Sequence, residues 1–217
     1  MRRGSLDPSG LVLVDKPEGP SSFAIVRDLR RRTGARAGHA GTLDPFATGL
    51  LLVLLGRSTK LASRFVGLDK RYVTQIDLSG LTTTGDREGE PLDEHEPPPA
   101  EELERQLAAL RGEVELRVPA ASAVKIGGER AYRLHRRGEQ VEMPIRRSTI
   151  HSVELVDYDD RVATLDLLVG SGTYVRAIAA ELGGHCRTLR RTEVGPFQVE
   201  DAHPTRIIPP EEAVAAL

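Results

Sequence analysis

Gly38-His39-Ala40-Gly41-Thr42-Leu43-Asp44-Pro45-Phe46-Ala47-Thr48-Gly49 runs directly into Leu50-Leu51-Leu52-Val53-Leu54-Leu55. The apolar run has the length and composition of a buried strand. The stretch before it is made mostly of small residues around one carboxylate, so Asp44 is expected where a rigid element begins. Pro45 biases Asp44 toward extended backbone. Gly38, Gly41 and Gly49 permit tight turns and leave room for another molecule to approach the main chain. A charged group in a roomy, stiffly supported loop suits a catalytic carboxylate. The same letters also fit a plain Asp-Pro turn ahead of a strand.

Outward from this stretch, strand and helix signals mix. Leu11 to Asp15 reads as a short strand. Ser21 or Ser22 can cap a helix through about Arg32, with Phe23, Val26 and Leu29 or Arg30 inward and Gly34 ending it. Ser58 to Val66 predicts a short helix. Tyr72 to Leu78 alternates as a strand, with Tyr72, Ile76 and Leu78 sharing a face. Gly85 to Pro99 is acidic and proline-rich, a loop. Pro99 then suits the first turn of a helix carrying Leu103, Leu107 and Leu110, closed by Gly112. Gly127 and Gly128 precede a basic helix from about Glu129 to Arg137. Val153–Val156 and Val162–Val169 are strands around an Asp157–Asp160 turn, and Thr173–Leu182 reads as a helix. The fold class expected is α+β, a mixed, largely antiparallel sheet with helices packed against it.

A chain of 217 residues, 39% hydrophobic, can bury a real core as one large domain or one domain with an accessory lobe. No apolar stretch approaches the roughly 20 residues that span a bilayer. Met1-Arg2-Arg3-Gly4-Ser5 is basic, but Leu11–Val14 is too short for a signal sequence, so a cytoplasmic protein is expected. Cys186 is the only cysteine, which excludes an internal disulfide and a thiolate zinc cluster. The net charge of −2 hides segregated charge. Arg27, Arg30, Arg31, Arg32 and Arg36 precede the Asp44 stretch. Lys125, Arg130, Arg133, Arg136, Arg137, Arg146 and Arg147 form a second basic tract, and Arg187, Arg190 and Arg191 a third. Acid gathers between Asp86 and Glu104. Such tracts are either solvated helix faces or faces able to hold phosphates.

His39 to Gly49, with Gly56-Arg57-Ser58-Thr59-Lys60 beyond, resembles the signature loop of the TruB family of tRNA pseudouridine synthases, whose essential aspartate falls on Asp44. Four further blocks resemble that family in order: Asp15-Lys16-Pro17 with Gly19, Ser21 and Ser22; Lys70-Arg71-Tyr72; Gly172-Thr173-Tyr174-Val175-Arg176; and Leu189-Arg190-Arg191-Thr192. The resemblance spans about Gly10 to about Thr205. It departs from the family at Pro119-Ala120-Ala121-Ser122-Ala123, where a proline and a tyrosine are missing, and at a shortened Leu182-Gly183-Gly184-His185.

The resemblance implies the pseudouridine synthase fold over residues 1–217, with an RNA-gripping lobe inserted at about 118–147 and no C-terminal PUA domain. It implies isomerisation of the T-loop uridine of tRNA, position 55 in the family, after base flipping. Asp44 is the implied catalytic carboxylate, with Arg176 as its cationic partner. Without the family match, Arg176 reads as a surface helix arginine. Tyr72 resembles the tyrosine that stacks on the target base, and a core strand tyrosine is compatible with that. Tyr174 is expected to pack beneath Arg176. Leu189 is a pocket residue or a core leucine. His39 enters the opened RNA loop or ties down a glycine turn, and Lys16 and Lys70 are phosphate or loop contacts. No metal or cofactor is implied. The implied partner is the tRNA T arm, with no membrane, no protein partner and a monomeric state. An RNA-binding or tRNA-folding factor is the alternative. Guide-dependent modification, the runner-up among enzymes, is disfavoured by the missing PUA domain.

Overall fold

The computed structural model describes residues 8–139 and 141–217; the basic Met1–Ser5 segment lies outside the described residues. Along the chain the elements are β1 (Gly10–Lys16), α1 (Ser22–Thr33), β2 (Ala37–Ala40), β3 (Thr48–Leu55), a 3₁₀ turn (Gly56–Leu61), α2 (Ala62–Val66), β4 (Lys70–Asp77), α3 (Ala100–Ala109), β5 (Gly112–Arg117), β6 (Lys125–Ile126), β7 (Glu129–Arg130), α4 (Ala131–Arg136), β8 (Ile145–Asp159), β9 (Val162–Val169), α5 (Val175–Glu181), β10 (His185–Val194), β11 (Phe197–Gln198), a second 3₁₀ turn (Val199–Asp201) and α6 (Pro210–Ala215). The fold is α+β. β1 and β2 pair antiparallel with β3, β5 with β8, β8 with β9 and β10 with β11, whereas β10 meets β3 in parallel. By contact the chain divides into two compact units, residues 1–72 with 189–217, and residues 73–188.

In the first unit β3 is central. Its register with β1 runs from Gly10↔Leu55 to Lys16↔Gly49, and its other edge takes β2 at Leu52 to Leu55 and β10 at Thr48 and Gly49. Flanked on both edges, Leu50 to Leu55 are fully buried, which is why the run carries no polar alternation. Leu50, Leu52 and Leu54 join Leu11, Leu13, Phe65, Val194 and Phe197 in one apolar cluster. The Phe65 and Phe197 rings lie 6.0 Å apart within it.

Helix α1 corrects one expectation. Its buried residues are Ser22, Val26 and Leu29, while Phe23 is 66% exposed. Residues 22, 26 and 29 follow the helical i, i+4, i+7 spacing, and the inner place at the first turn goes to a serine. The Ser22 hydroxyl donates to the Leu43 carbonyl at 2.9 Å and accepts from the Leu43 N–H at 2.8 Å. Those two bonds need a short polar side chain inward, so Phe23 turns out. Ser21 is the N-cap, accepting from the Ala24 N–H, and Gly34 closes the helix in the left-handed region at φ 68°.

In the second unit the strand order is β10-β4-β9-β8-β5. β9 has the bounds expected from the sequence, and β8 extends well beyond Val153–Val156, with register shifts at Ile150/Ser152 and Leu155/Asp157. The basic helix is shorter than expected because Glu129 and Arg130 form β7, paired with β6 across Gly127-Gly128. Both glycines have positive φ, 57° and 91°, as a two-residue hairpin turn of this kind requires. Helix α5 likewise starts at Val175 rather than Thr173, with Tyr174 as its N-cap residue. Val118, Ala131 and Met143 form a small separate core here, joined by Val124, Ile126 and Tyr174. Among the described residues no helix is long and apolar enough to cross a membrane.

Candidate active site

Asp44 lies in the irregular segment that leads into β3 and is half-buried. The backbone around it is held from several directions. Ser22 clamps Leu43 from one side. The Gly19 N–H donates to the Pro45 carbonyl at 2.9 Å. The fully buried Lys16 ammonium donates to the carbonyls of Pro17, Pro20 and Pro45 at 2.8, 2.9 and 3.2 Å. Arg191, only 1% exposed, spreads its guanidinium over the carbonyls of Leu50 (2.7 Å), Gly41 (3.1 Å) and Thr42 (3.5 Å). One buried cation thus ties both ends of the segment together. Charge-assisted bonds of this kind are stronger than neutral ones, so the backbone that carries Asp44 is fixed before any substrate arrives.

Gly49 is required by the same packing. Its φ is +101°, and a Cβ there would sit 2.2 Å from the Arg191 carbonyl oxygen and 2.7 Å from its nitrogen. The parallel pairing of Gly49 with Arg191 brings the two main chains together, and only a residue without a side chain fits.

The remaining expected residues of this unit divide by environment. His39 lies on β2, opposite Val53, rather than in a loop. Burial, reinforced by the Arg191 charge, lowers its pKa, so the ring is neutral at pH 7. Its buried Nδ1 has no hydrogen-bond partner among the described residues. Lys70 is also buried, and its ammonium donates to the carbonyls of Val66 (2.7 Å) and Leu68. Burial, with Arg191 adding and Asp69 opposing, lowers its pKa to about 8. Lys16 and Lys70 are therefore both turned onto main-chain carbonyls. Tyr72 on β4 and Leu189 on β10 are buried, at 8% and 6% exposure. Arg190, beside Leu189, makes a bidentate surface pair with Asp15 at 3.0 and 2.8 Å.

In the second unit Arg176 occupies the first turn of α5 and is 3% exposed, so it is no surface arginine. It donates to the Thr84 carbonyl at 2.6 Å and to the Ala121 carbonyl at 3.0 Å, and its Nε lies 3.7 Å from Asp86 Oδ2. Asp86 is itself buried and accepts from the Thr84 hydroxyl at 2.7 Å and the Glu88 N–H at 3.0 Å. Its segment is held to β10 by a pair of main-chain bonds, Cys186 N–H to Gly85 and Arg87 N–H to Cys186, both 3.0 Å. Tyr174 packs into the small core around Val118 and Ala131.

Residues 29–175 match the family model described as TruB family pseudouridylate synthase, N-terminal domain. The chain belongs to the TruB family. That membership makes it a pseudouridylate synthase, an isomerase acting on RNA. It is 44% identical to tRNA pseudouridine synthase B of Corynebacterium jeikeium over 92% of this chain and 71% of that protein. With the Leifsonia xyli protein of the same name, identity is 43% over 95% and 74%. Among solved structures, one from a Cbf5–Nop10–Gar1 complex is 26% identical with a TM-score of 0.68, over 88% of this chain and 50% of that one. A pseudouridylate synthase at 17% identity shares the fold, with a TM-score of 0.52 over 96% and 74%.

Against the TruB pattern, sequence reading missed three residues that organise these surroundings. Arg191 stands in a basic tract and in the family-like Leu189–Thr192 block, and nothing in its spacing marks a cation buried on carbonyls. Asp86 opens the acidic tract and looks like one solvated acid among many. Ser22 reads as a possible cap inside a family-like block, and its long-range clamp on Leu43 leaves no local signal.

Proposed function

We propose that this chain is a tRNA pseudouridine synthase acting on the T-loop uridine, position 55 in the TruB family, with Asp44 as the essential carboxylate. The reaction breaks the N1–C1′ bond of uridine, turns the base and joins C5 to C1′. The C5 proton leaves and N1 gains one, so the product is an isomer and no oxidant or nucleotide is consumed. A base inside an RNA stack must first be everted into a pocket. The observation that carries the reading is a half-buried carboxylate on a main chain held by Ser22, Lys16 and Arg191. Holding the backbone fixes where the charge sits at the ribose, which is the positioning that enzymes use in place of solvent reorganisation.

In this reading Arg176 is the cationic partner that the family pattern assigns to Asp44, and Asp86 fixes its guanidinium. Tyr72 stacks on the everted uracil, Leu189 lines the pocket and Tyr174 supports Arg176. The neutral His39, with a buried nitrogen still to be satisfied, enters the opened RNA loop. Lys16 and Lys70 hold the Asp44 surroundings rather than RNA phosphates. Residues 118–147 grip the RNA, where Arg133 and Arg136 flank the Tyr132 ring at 5.9 and 5.8 Å. The protein acts in the cytoplasm, as a monomer and without a protein partner.

The test is tritium release from C5-labelled T-arm RNA. Wild type should release tritium, and Asp44→Asn should bind the RNA and release none. Release retained by the variant removes Asp44 from the chemistry, and binding without release by wild type makes the protein an RNA-binding factor.

A further inference from the structure

Helix α1 carries one feature that the chemistry at Asp44 leaves unused. Phe23 is 66% exposed on its first turn. Arg27 and Arg30 follow at i+4 and i+7, on the same flank of the helix, and both are exposed. Among the described residues neither guanidinium group has an ion-pair or hydrogen-bond partner. The one acid of the helix, Asp28, lies on the opposite flank, where it faces Arg32 at 3.6 Å and Arg31 at 3.9 Å. One flank is thus neutralised, and the other presents an aromatic face followed by two free positive charges.

We propose that the Phe23–Arg27–Arg30 flank of α1 is a contact surface for the substrate RNA. Phe23 offers a face on which a base or ribose stacks, and the two guanidinium groups meet consecutive phosphates. The proposal rests on the reading of the chain as an RNA-modifying enzyme. Three observations carry it. The flank is continuous with the Asp44 surroundings, because Ser22, the residue before Phe23, is bonded to Leu43. Its chemistry, an aromatic followed by unpaired arginines, is what single-stranded nucleic acid meets on its binding proteins. Its length also fits: seven helical residues rise about 10 Å, close to three nucleotides at roughly 3.4 Å each. A protein partner of the same shape would leave two unpaired guanidiniums beside an apolar contact, so RNA is the better match in charge. Contacts of this kind hold substrate and transition state alike, and they lower KM without changing the chemical step.

The experiment measures affinity for tRNA across a salt series, with single-turnover tritium release at saturating enzyme. Arg27→Gln/Arg30→Gln should flatten the log K against log salt slope by roughly 1.5, about 0.7–0.9 per lost phosphate contact. Phe23→Ala should weaken binding about 5- to 20-fold, while Phe23→Tyr, which keeps an aromatic face, stays at wild-type affinity. All three should retain the saturating rate within about twofold. Arg32→Gln, on the neutralised flank, should change neither affinity nor slope. Unchanged affinity and slope in both Phe23→Ala and the double variant would overturn the proposal. So would a wild-type dimer that Phe23→Ala dissociates with RNA affinity intact. Wild type that binds RNA through this flank but releases no tritium would sink the enzymatic reading alone.

Discussion

Two buried guanidinium groups, Arg191 in the first unit and Arg176 in the second, are used differently. Arg191 bonds to three main-chain carbonyls. Arg176 bonds to two carbonyls and also faces the carboxylate of Asp86. A cation that meets carbonyl dipoles immobilises backbone and keeps its charge uncancelled. A cation paired with an acid is aimed, and taking that cation away leaves the buried charge of Asp86 without it. The first arrangement builds a platform under Asp44, and the second orients a side chain.

The largest effect that probes this difference is chemical. Asp44→Asn should lower pseudouridine formation by at least about 10³-fold with RNA affinity retained, because the platform does not depend on the charge it presents. Single-turnover tritium release beside a binding isotherm measures both.

Next come the cations themselves. Arg176→Met should cost about 3–5 kcal/mol of stability by stranding Asp86. Adding Asp86→Asn should restore part of that loss in denaturant titrations. Arg191→Met should cost a similar amount by leaving three carbonyls unbonded, and Asp86→Asn should only add to its loss. Equal rescue of both variants would erase the contrast.

Gly49→Ala tests the platform from its backbone side. A methyl group 2.2 Å from the Arg191 carbonyl oxygen at φ +101° should cost about 3 kcal/mol, lowering the thermal midpoint by roughly 6–12 °C for a chain of this size. Ser22→Ala removes both bonds to Leu43 and should cost about 1–2 kcal/mol, with a fall in kcat at unchanged KM.

The last test is a pH dependence. Lys70 loses its proton near pH 8 when folded and near 10.5 when unfolded. Between those values the unfolded chain holds the extra proton, so raising the pH favours the folded state. Below about 8 both states are protonated, and the penalty for burying the charge is fully present. Denaturant midpoints of wild type should therefore rise from pH 8 to 10.5 relative to Lys70→Met, and parallel curves would refute the assignment.

Legibility in the sequence followed the range of the interactions. β3 was plain because an unbroken apolar run has few other uses, and β9 because its alternation is strict. Helix α1 was found, but its facing was missed, since Ser22 wins the inner position through a partner 21 residues away. His39 looked like part of a loop because Ala-Gly-His-Ala carries no strand signal; pairing with β3 makes it one. The letters around Asp44 fit a catalytic carboxylate or a plain Asp-Pro turn, and Lys16 and Arg191 stand in family-like blocks that say nothing of their burial on carbonyls. No periodicity distinguishes an arginine in solvent from one buried on carbonyls.

The Ala121 carbonyl has a consequence for how this lineage can change. Arg176 donates to that main-chain oxygen at 3.0 Å, in the segment Pro119–Ala123. A strut made of peptide oxygen tolerates turnover of its side chains. Exchanging the residue at position 121 therefore leaves this oxygen in place for Arg176.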